Sequence, residues 1–374
     1  MTASDPTVIG LVGGGWRAEC YLRVAAARPD LFQVRRVLTR SASSSEKIKA
    51  KWGLSATTDL AGFSDSGAYH YVVVCVPRSC APELATRFIA SGTAVLAETP
   101  PAEDAAGLGE LYKALGASAP VQVAEQYQFQ PHHRARLEVV RTGMIGPVSA
   151  AYVSVAHGYH AMSLLRLALG VGFGPVTVTG STSVDPVVGV LGREGWEPAL
   201  SVRQSTRARA TLQFEGGTGF YDFNGEQYFS PLRSRHIALH GTHGEVYDDT
   251  VNYIEDPGRP VCGRLLRAQS GADGDLDGAY LRSVCLGDRA LYVNQFAPAR
   301  LSDDELAVAE CMARMRVFVE QGTPFYGLAD ACEDHYLSLL VDEATSRGAR
   351  LSTSPQPWTG SLSIAQRPAL GPKP

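Results

Sequence analysis

A glycine-rich turn near the start of the chain constrains the fold more than any other segment. The apolar run Val8–Val12 suits a buried strand and leads directly into three glycines. Gly13, Gly15 and Ala18 fit the spacing G-x-G-x-x-G/A. In that turn the first glycine permits a tight bend, the second lets the backbone approach a pyrophosphate, and the small third residue lets the helix pack on the strand. The pattern predicts a dinucleotide site at a helix N-terminus.

Strand and helix patterns alternate from residue 7 to residue 124. Continuous apolar runs are typical of parallel strands that are buried on both faces. Phe32–Leu38 is predicted as the second strand, and three continuous apolar runs follow it, at Tyr71–Val76, Thr93–Ala97 and Val121–Ala124. Helical stretches lie between the later runs, at 80–91 and 102–117. We therefore predict a doubly wound α/β domain with a parallel Rossmann sheet over residues 1–124.

The pattern changes in residues 125–350. Helices are predicted at 131–142 and 160–169, and the strands become longer and alternate in polarity. The predicted strands are 148–156, 207–214, 218–223, 234–240 and 244–248. They indicate an α+β domain with a large, open-faced, mostly antiparallel sheet. Ser302 opens a further helix through a capping box, and residues 351–374, rich in Ser and Pro, are predicted to form an extended tail.

The composition excludes several classes of protein. The 374 residues are 45% hydrophobic and 19% charged with a net charge of −4, and no basic block indicates a nucleic-acid partner. No apolar segment is long enough to span a membrane, and the first residues carry no basic leader. The seven cysteines form no C-x-x-C pair, which favours reduced thiols and a cytoplasmic location.

The end of the second predicted strand leaves the choice of cofactor open. NAD-specific sites usually place an acidic residue where this chain has Thr39. Thr39, Arg40 and Ser41 could accommodate the 2′-phosphate of NADP, whereas a Thr or Ser hydroxyl can also bind a ribose diol. These residues alone lean towards NADP, and at this point they leave both NAD and NADP open.

Three motifs resemble the Gfo/Idh/MocA family of sugar-active oxidoreductases. They are the turn Gly13–Ala18, the strand ends Val74–Pro77 and Ala97–Pro100, and the helix start Gly158–Arg166 followed by Leu169-Gly170. The resemblance covers nearly the whole chain and implies a small carbohydrate substrate and a homo-oligomer. Beyond the glycines and the 39–41 segment, it implies further cofactor-binding residues, namely Trp16, Arg17, Val76, Pro77, Glu98, Thr99 and Gln126.

Departures from the family motifs bear on the reaction. The family's dehydrogenases carry Glu-Lys-Pro, and their lysine takes part in proton transfer at the substrate hydroxyl. Thr99 occupies that position here, and its hydroxyl cannot act as a cationic relay near neutral pH. Two aspartate positions of the helix-start motif hold Ala156 and Ser163, so only His160 remains.

The sequence Glu-x-Pro without lysine resembles a second branch of the family, glycosidases that use bound NAD⁺ without net redox change. This resemblance implies NAD as the cofactor and does not exclude NADP. Those enzymes oxidise the sugar at C3, eliminate the aglycone, add water and return the hydride. Four residues would supply bases and hydroxyls for this chemistry, namely Tyr127, His157, Tyr159 and His160. A sugar or polyol dehydrogenase and a non-catalytic dinucleotide-binding protein remain as alternatives.

Two further groups of polar residues are candidates for substrate or metal binding. Arg233 and Arg235 alternate in the sequence, and two arginines on one face of a strand could clamp an anionic sugar group. His236, His240 and His243 lie close together in sequence, but no carboxylate follows at a convincing spacing. We therefore predict substrate contacts from the arginine pair and no metal.

Overall fold

The computed structural model describes residues 5–64, 69–192 and 195–366. These residues divide into two compact units. The first comprises the described residues up to Arg134 together with Arg267–Cys285 and Ala290–Cys332. The second comprises Ala135–Leu266, Leu286–Arg289 and the described residues from Glu333 onward.

The regular elements are numbered in chain order. The strands are β1 (Thr7–Val12), β2 (Phe32–Leu38), β3 (Ala56–Thr57), β4 (Tyr71–Val74), β5 (Val95–Ala97), β6 (Val121–Val123), β7 (Val148–Ser154), β8 (Thr177–Gly192), β9 (Gly195–Phe214), β10 (Gly217–Asn224), β11 (His236–Gly241), β12 (Gly244–Tyr247), β13 (Thr250–Asp256), β14 (Arg259–Gln269), β15 (Leu281–Leu286), β16 (Arg289–Val293) and β17 (Arg350–Ser352). The helices are α1 (Trp16–Ala27), α2 (Ala42–Trp52), α3 (Leu60–Phe63), α4 (Ala81–Ala90), α5 (Ala105–Leu115), α6 (Pro131–Arg141), α7 (Gly158–Leu169), α8 (Asp303–Gln321) and α9 (Leu328–Arg347). Short 3-10 turns lie at Tyr127–Phe129, Gly225–Tyr228 and Ile364–Gln366.

The first unit contains a parallel sheet with the strand order β3-β2-β1-β4-β5-β6. This is the strand order of dinucleotide-binding sheets, in which the ligand crevice lies beyond the carboxyl ends of the strands where the order reverses. That point falls between β1 and β4, and all four residues of β4 are buried. The prediction of a Rossmann domain from continuous apolar runs is confirmed, although β4 ends at Val74 and not at Val76.

Helix α8 belongs to the first unit although it lies far along the chain. The capping box predicted at Ser302 is present: the Ser302 hydroxyl accepts from the Glu305 amide, and the Glu305 carboxylate accepts from the Ser302 amide. The helix packs against α1, and the hydroxyl of Tyr71 donates to the carbonyl oxygen of Met312 at 2.9 Å. The sequence thus predicts this helix, but its place beside the Rossmann sheet depends on contacts distant in sequence.

The second unit contains a sheet in which the strands run in the order β14-β13-β12-β11-β7-β10-β9-β8-β17. The prediction of a mostly antiparallel sheet is confirmed, since the pairing is antiparallel except between β7 and β10. Helix α7 packs on β7 and β10. Gly219 in β10 permits this packing, because an added Cβ would lie 3.2 Å from Leu165.

The longest hairpin of the second unit was missed in the sequence. Strand β9 begins at Gly195 and not at Arg207, and its partner β8 was not predicted at all. The reason is compositional, because Gly, Pro, Ser and Thr are frequent in this stretch and weaken the apolar alternation that identifies strands.

Within the predicted tail, Trp358 is fully buried and its indole donates to the Glu333 carboxylate at 2.7 Å. Residues 367–374 of that tail lie outside the described residues. In the described ranges, no helix combines the length and apolar character needed to cross a membrane.

Candidate active site

The glycine turn after β1 leaves the protein backbone accessible to a ligand. Gly13 has φ +122, and an added Cβ would overlap the carbonyl oxygen of Cys75, so only glycine fits there. Gly15 is the N-cap of α1 and gives the helix no side-chain cap, and an added Cβ would meet nothing within 4 Å. The turn therefore presents open backbone and a helix N-terminus, which suits a pyrophosphate.

Arg17 in the first turn of α1 forms a charged network with two acidic residues. Its Nε lies 2.7 Å from the Glu98 carboxylate, and its Nη1 lies 3.1 Å from that of Asp304. Tyr21 also donates a hydrogen bond to Glu98. Burial opposes the charge on Arg17, but the attraction of these neighbours outweighs it and raises the pKa of the guanidinium. The network fixes Arg17 and Glu98, two predicted cofactor residues, against each other.

Gln126 joins the same network through Asp304. Its side-chain amide nitrogen lies 3.3 Å from an Asp304 oxygen, and only 7% of the residue is exposed. Within the described ranges, the amide oxygen of Gln126 and Nη2 of Arg17 are buried and have no hydrogen-bond partner. Such atoms cost free energy unless a ligand or water satisfies them. They offer one acceptor and one donor to a polar ligand, and NAD fits this requirement.

In the segment after β2, the hydroxyls of Thr39 and Ser41 form hydrogen bonds with neighbouring residues. The hydroxyl of Thr39, which is 5% exposed, donates to the carbonyl oxygen of Ser41 at 3.0 Å and lies 2.7 Å from the Ser45 hydroxyl. Ser41 caps α2 by accepting from the amide of Ser44. Arg40 is exposed and Ser41 is half-buried, so both are more accessible to a ligand than Thr39.

The remaining predicted cofactor residues lie in the loops that follow β4 and β5 and, for Trp16, at the start of α1. Val76 and Thr99 are half-buried, whereas Pro77 and Trp16 are exposed. Cys75 donates its thiol to the carbonyl oxygen of Val12 at 3.2 Å, and burial raises the pKa of the thiol. Cys75 therefore stays protonated and acts as a packing residue.

Glu125 is a buried acid that the sequence did not single out. It follows β6, is fully buried, and its Oε1 accepts a hydrogen bond from the backbone amide of Tyr127 at 3.1 Å. Burial raises the pKa of this carboxyl to about 8. Tyr127 itself is half-buried, with its ring 6.1 Å from that of His133. Burial therefore brings the titration of the Glu125 carboxyl into the range near neutral pH.

Three of the predicted catalytic residues lie together at the start of α7. His157 is the exposed N-cap residue, and its ring centroid lies 5.2 Å from that of His160. The Tyr159 ring lies 4.4 Å from the His160 ring, which is 6% exposed. His157 Nδ1 shares a hydrogen bond with the hydroxyl of Tyr228, and the His157 backbone amide donates to the same hydroxyl at 3.0 Å. Tyr228 is thus a site residue that sequence reasoning missed.

The side chain of Arg235 holds the turn that carries Tyr228 by hydrogen bonds to backbone carbonyls. Arg235 donates from Nε to the carbonyl oxygen of Gln227 at 3.0 Å and from Nη2 to that of Tyr228 at 2.6 Å. Arg233 donates instead to the carbonyl oxygen of Leu232 at 3.2 Å. Both arginines precede β11, which begins at His236. The two side chains therefore do not share one face of a strand, and Arg235 supports the Tyr228 turn.

The three histidines weighed for metal binding make separate contacts. His236 Nδ1 lies 2.8 Å from the Asp248 carboxylate, and His240 Nδ1 lies 3.3 Å from that of Glu245. His243 Nδ1 lies 2.8 Å from the hydroxyl of its neighbour Thr242. In the part of the chain that the structure describes, no three His, Cys, Asp or Glu side chains are grouped so that they could hold a metal ion.

Comparison with known proteins gives one family and a set of similar folds. Residues 7–127 match the Gfo/Idh/MocA profile, described as an oxidoreductase family with an NAD-binding Rossmann fold. No curated protein sequence matches the chain.

Several solved structures share the fold across almost the whole chain. Levoglucosan dehydrogenase, solved with NADH and levoglucosan, is 14% identical with a TM-score of 0.64, and the alignment covers 93% of this chain and 99% of that one. An NAD-binding oxidoreductase from Klebsiella pneumoniae is 16% identical with a TM-score of 0.64, covering 94% and 100%. An oxidoreductase from Agrobacterium radiobacter, solved with NAD⁺, L-tartaric acid and magnesium, is 15% identical with a TM-score of 0.65, covering 93% and 98%. These likenesses establish the fold.

Proposed function

We propose that the chain oxidises a secondary hydroxyl of a carbohydrate with bound NAD⁺, since residues 7–127 match the NAD-binding Rossmann fold of the Gfo/Idh/MocA oxidoreductase family. The observation that carries the proposal is the cluster of His157, Tyr159, His160 and Tyr228 at the start of α7. Oxidation of an alcohol requires a group that accepts the hydroxyl proton, and imidazole accepts protons near neutral pH.

The first unit would hold the cofactor, and the fit rests on its own residues. Gly13 and Gly15 leave backbone open beside the N-terminus of α1, and the buried Gln126 oxygen and Arg17 Nη2 have no partner in the described structure. Glu98 keeps Arg17 in place through their ion pair. When bound, NAD⁺ supplies reversible hydride transfer at a carbon that bears a hydroxyl.

The second unit would bind the carbohydrate and move its protons. We assign to His160 the removal of the hydroxyl proton, with Tyr159 against its ring and His157 as the next proton-bearing group. Tyr228 would orient His157 through the hydrogen bond between the phenol and Nδ1. Tyr127 remains a second candidate relay, and Arg233 a candidate for contact with an anionic sugar group.

We further propose that the reaction is redox-neutral glycoside cleavage. Thr99 stands where the family's dehydrogenases carry a lysine, so the usual cationic relay is missing. Cleavage through a C3 ketone requires proton transfer at two substrate positions, the C3 hydroxyl and the C2–H. The C2–H becomes acidic, the aglycone leaves by elimination, and water adds before the sugar is reduced again. Two histidines and two tyrosines within one cluster would serve both positions.

A sugar dehydrogenase is the second candidate. Levoglucosan dehydrogenase, which shares the fold, was solved with NADH and a sugar in place. In this alternative the same cluster removes a single proton and the reduced cofactor leaves the enzyme. The two candidates therefore differ in whether NADH accumulates and not in the first step.

One experiment separates the candidates. The purified chain is given NAD⁺ and a panel of neutral and anionic aryl glycosides, together with free sugars and polyols, while aglycone release and NADH absorbance are recorded together. Aglycone release without NADH supports the redox-neutral hydrolase, whereas NADH without aglycone release supports the dehydrogenase. Silence in both channels across the panel would contradict the proposal and favour a non-catalytic dinucleotide-binding protein.

A further inference from the structure

An apolar patch lies beside the tyrosine that contacts His157. Phe229 directly follows Tyr228, and the two ring centroids lie 6.2 Å apart. Phe229 is 42% exposed, Leu232 is 52% exposed, and Pro231 between them in the sequence is also exposed. We call Phe229, Pro231 and Leu232 the apolar patch. Because the Tyr228 hydroxyl shares a hydrogen bond with His157, this patch adjoins the cluster to which we assign proton transfer.

Hydrogen bonds within the segment hold the apolar patch in place. The amide of Arg233 donates to the carbonyl oxygen of Ser230 at 3.4 Å. This hydrogen bond closes a turn that has Pro231 and Leu232 at its corners. The buried Ser230 hydroxyl accepts from the Leu232 amide at 3.2 Å, and Arg235 fixes the preceding residues by donating to two of their carbonyl oxygens. A surface that is already ordered loses little conformational entropy when a ligand covers it, so the patch is preorganised for binding.

The size of the apolar patch fits a small group and not a protein partner. At the exposed fractions given above, the patch offers about 200 Å² of apolar surface. A stable specific contact between proteins covers roughly 600 Å² on each partner, about three times as much. A single aromatic ring buries about 200 Å², which is the area that the patch offers. The patch is therefore matched to one small apolar group of a ligand.

We propose that the apolar patch binds the aglycone of the substrate and that this aglycone is aromatic or otherwise apolar. The inference rests on the proposed glycoside cleavage, in which the sugar lies at the proton-transferring groups and the aglycone is bonded to the anomeric carbon. Two ring contacts, with centroids 5.5 Å and 6.2 Å apart, lead from His157 through Tyr228 to Phe229. The patch therefore lies one side chain beyond the cluster, within reach of a group bonded to the reacting sugar. Burial of the apolar surface of that group favours its binding.

The chemistry of the apolar patch distinguishes the aglycone from the sugar as its occupant. A sugar hydroxyl needs a hydrogen-bond partner, because burial without one costs free energy. The side chains of the patch are hydrocarbon and offer no such partner. The neighbouring cluster offers nitrogen and oxygen atoms instead, from His157, Tyr159, His160 and Tyr228. The polar part of the substrate therefore suits the cluster, and the apolar part suits the patch.

The binding test uses the full-length chain with isotope-labelled tyrosines, followed by NMR during titration with benzyl alcohol as an aromatic probe. The Tyr228 ring signals should shift and saturate, because the probe stacks on the neighbouring Phe229. Tyr247, an exposed residue on β12, should not shift and serves as the internal control. Phe229→Ser should weaken the binding of the probe at least about tenfold, since the largest apolar side chain of the patch is lost.

Phe220→Ser is the matched control for the Phe229 variant. Phe220 is 39% exposed, close to the 42% of Phe229. Gly219 faces α7, since an added Cβ would lie 3.2 Å from Leu165, so alternation along β10 places Phe220 on the opposite face. The control therefore removes a similarly exposed phenyl ring away from the cluster at the start of α7 and should bind the probe as the wild type does.

The selectivity test compares the p-nitrophenyl and methyl glycosides of one sugar in the presence of NAD⁺. The ratio of kcat/KM for the aryl glycoside to kcat/KM for the methyl glycoside should be at least about tenfold lower in Phe229→Ser than in the wild type. The intrinsic reactivity of each glycoside cancels in this comparison, because it is the same for both proteins. Phe220→Ser should keep the wild-type ratio.

The two tests separate a failure of the patch from a failure of the reaction. No shift of Tyr228, or wild-type affinity for the probe in Phe229→Ser, would overturn the proposal. An aryl-to-methyl ratio that is equal in wild type and variant would also overturn it while leaving the proposed reaction intact. Probe binding that depends on Phe229, in a chain that cleaves none of the glycosides, would support the patch and contradict the reaction.

Two further measurements complete the design. If Phe229→Ser does not fold, Leu232→Ser replaces it and should weaken probe binding about threefold, because a smaller side chain of the patch is lost. Analytical ultracentrifugation of Phe229→Ser should give the same mass as the wild type. A lower mass in this variant alone would show that the patch is a contact between proteins and would overturn the proposal.

Discussion

The polar clusters of the two units consist of different kinds of side chain. In the first unit, Arg17, Glu98 and Asp304 are charged groups that neutralise one another within 3.1 Å. In the second, His157, Tyr228 and their neighbours are imidazoles and phenols joined by ring contacts and hydrogen bonds. Paired charges fix positions because separating them is costly, whereas imidazole and phenol pairs can exchange a proton. We therefore expect the first cluster to hold a ligand in place and the second to transfer protons.

The largest expected effect tests the second cluster. Replacing His160 with Ala removes the proposed proton acceptor and should lower turnover by about 10³-fold, within the range for general base catalysis. Binding of NAD, measured by calorimetry, should stay unchanged because the cofactor residues are assigned to the other unit. His243→Ala removes an exposed histidine that contacts Thr242 and serves as the control. Full turnover in the His160 variant would mean that the cluster is not catalytic.

The next prediction tests whether the fold requires glycine at position 13 and NAD binding requires glycine at position 15. Gly13→Ala forces a side chain into a backbone conformation at φ +122 and against Cys75. The free energy of unfolding should fall by about 3 kcal/mol, the upper end of the cost of a disallowed conformation. Gly15→Ala has open space around its Cβ and should fold as the wild type does, yet lose NAD affinity. Chemical denaturation with parallel NAD titration separates the two results, and equal stability of both variants would contradict the strain argument.

The site residues that the sequence predicted are those encoded by short-range patterns. The glycine spacing, the apolar strands and the helix start at Gly158 are local signals, and the structure contains each of these elements. Tyr228 and Asp304 were missed because their contacts are distant in sequence, 71 residues from His157 and 287 residues from Arg17. No pattern around either residue indicates which side chain it will meet. The sequence therefore shows which chemistry is present more readily than it shows which groups are neighbours.

Glu125 differs from the paired charges of the first unit, because burial raises the pKa of its carboxyl. The pH dependence of stability tests this shift. Its carboxyl has a pKa of about 8 in the folded chain against 4.5 for an ordinary glutamate, so the folded state binds the extra proton between these values. The wild type should therefore lose stability as pH rises from 5 to 8, by about 1 kcal/mol per pH unit. Glu125→Gln keeps the acceptor for the Tyr127 amide and should remove this slope. Identical slopes in urea denaturation at pH 5, 6, 7 and 8 would contradict the raised pKa.

A smaller effect tests the charged network itself. Glu98→Gln removes one partner of an ion pair whose side chains are only 16% and 13% exposed. The variant should lose about 2 kcal/mol of stability, less than for a fully buried pair because Asp304 still faces Arg17. Glu46→Gln breaks an exposed pair with Lys49 and should change stability by less than about 0.5 kcal/mol. Equal effects in thermal denaturation would show that burial does not strengthen the Arg17 network.

The smallest expected effect distinguishes orientation from proton acceptance within the second cluster. Tyr228→Phe keeps the ring that packs 5.0 Å from Phe223 but removes the hydroxyl that contacts His157. If Tyr228 orients His157, turnover should fall about tenfold, because the imidazole loses the hydrogen bond that positions it. The pH dependence of turnover should shift together with the His157 titration followed by NMR. Tyr247→Phe, an exposed tyrosine on β12, is the control. A loss as large as that of the His160 variant would instead make the phenol itself the proton-transferring group, and the division of roles between the two histidines and Tyr228 would be reversed.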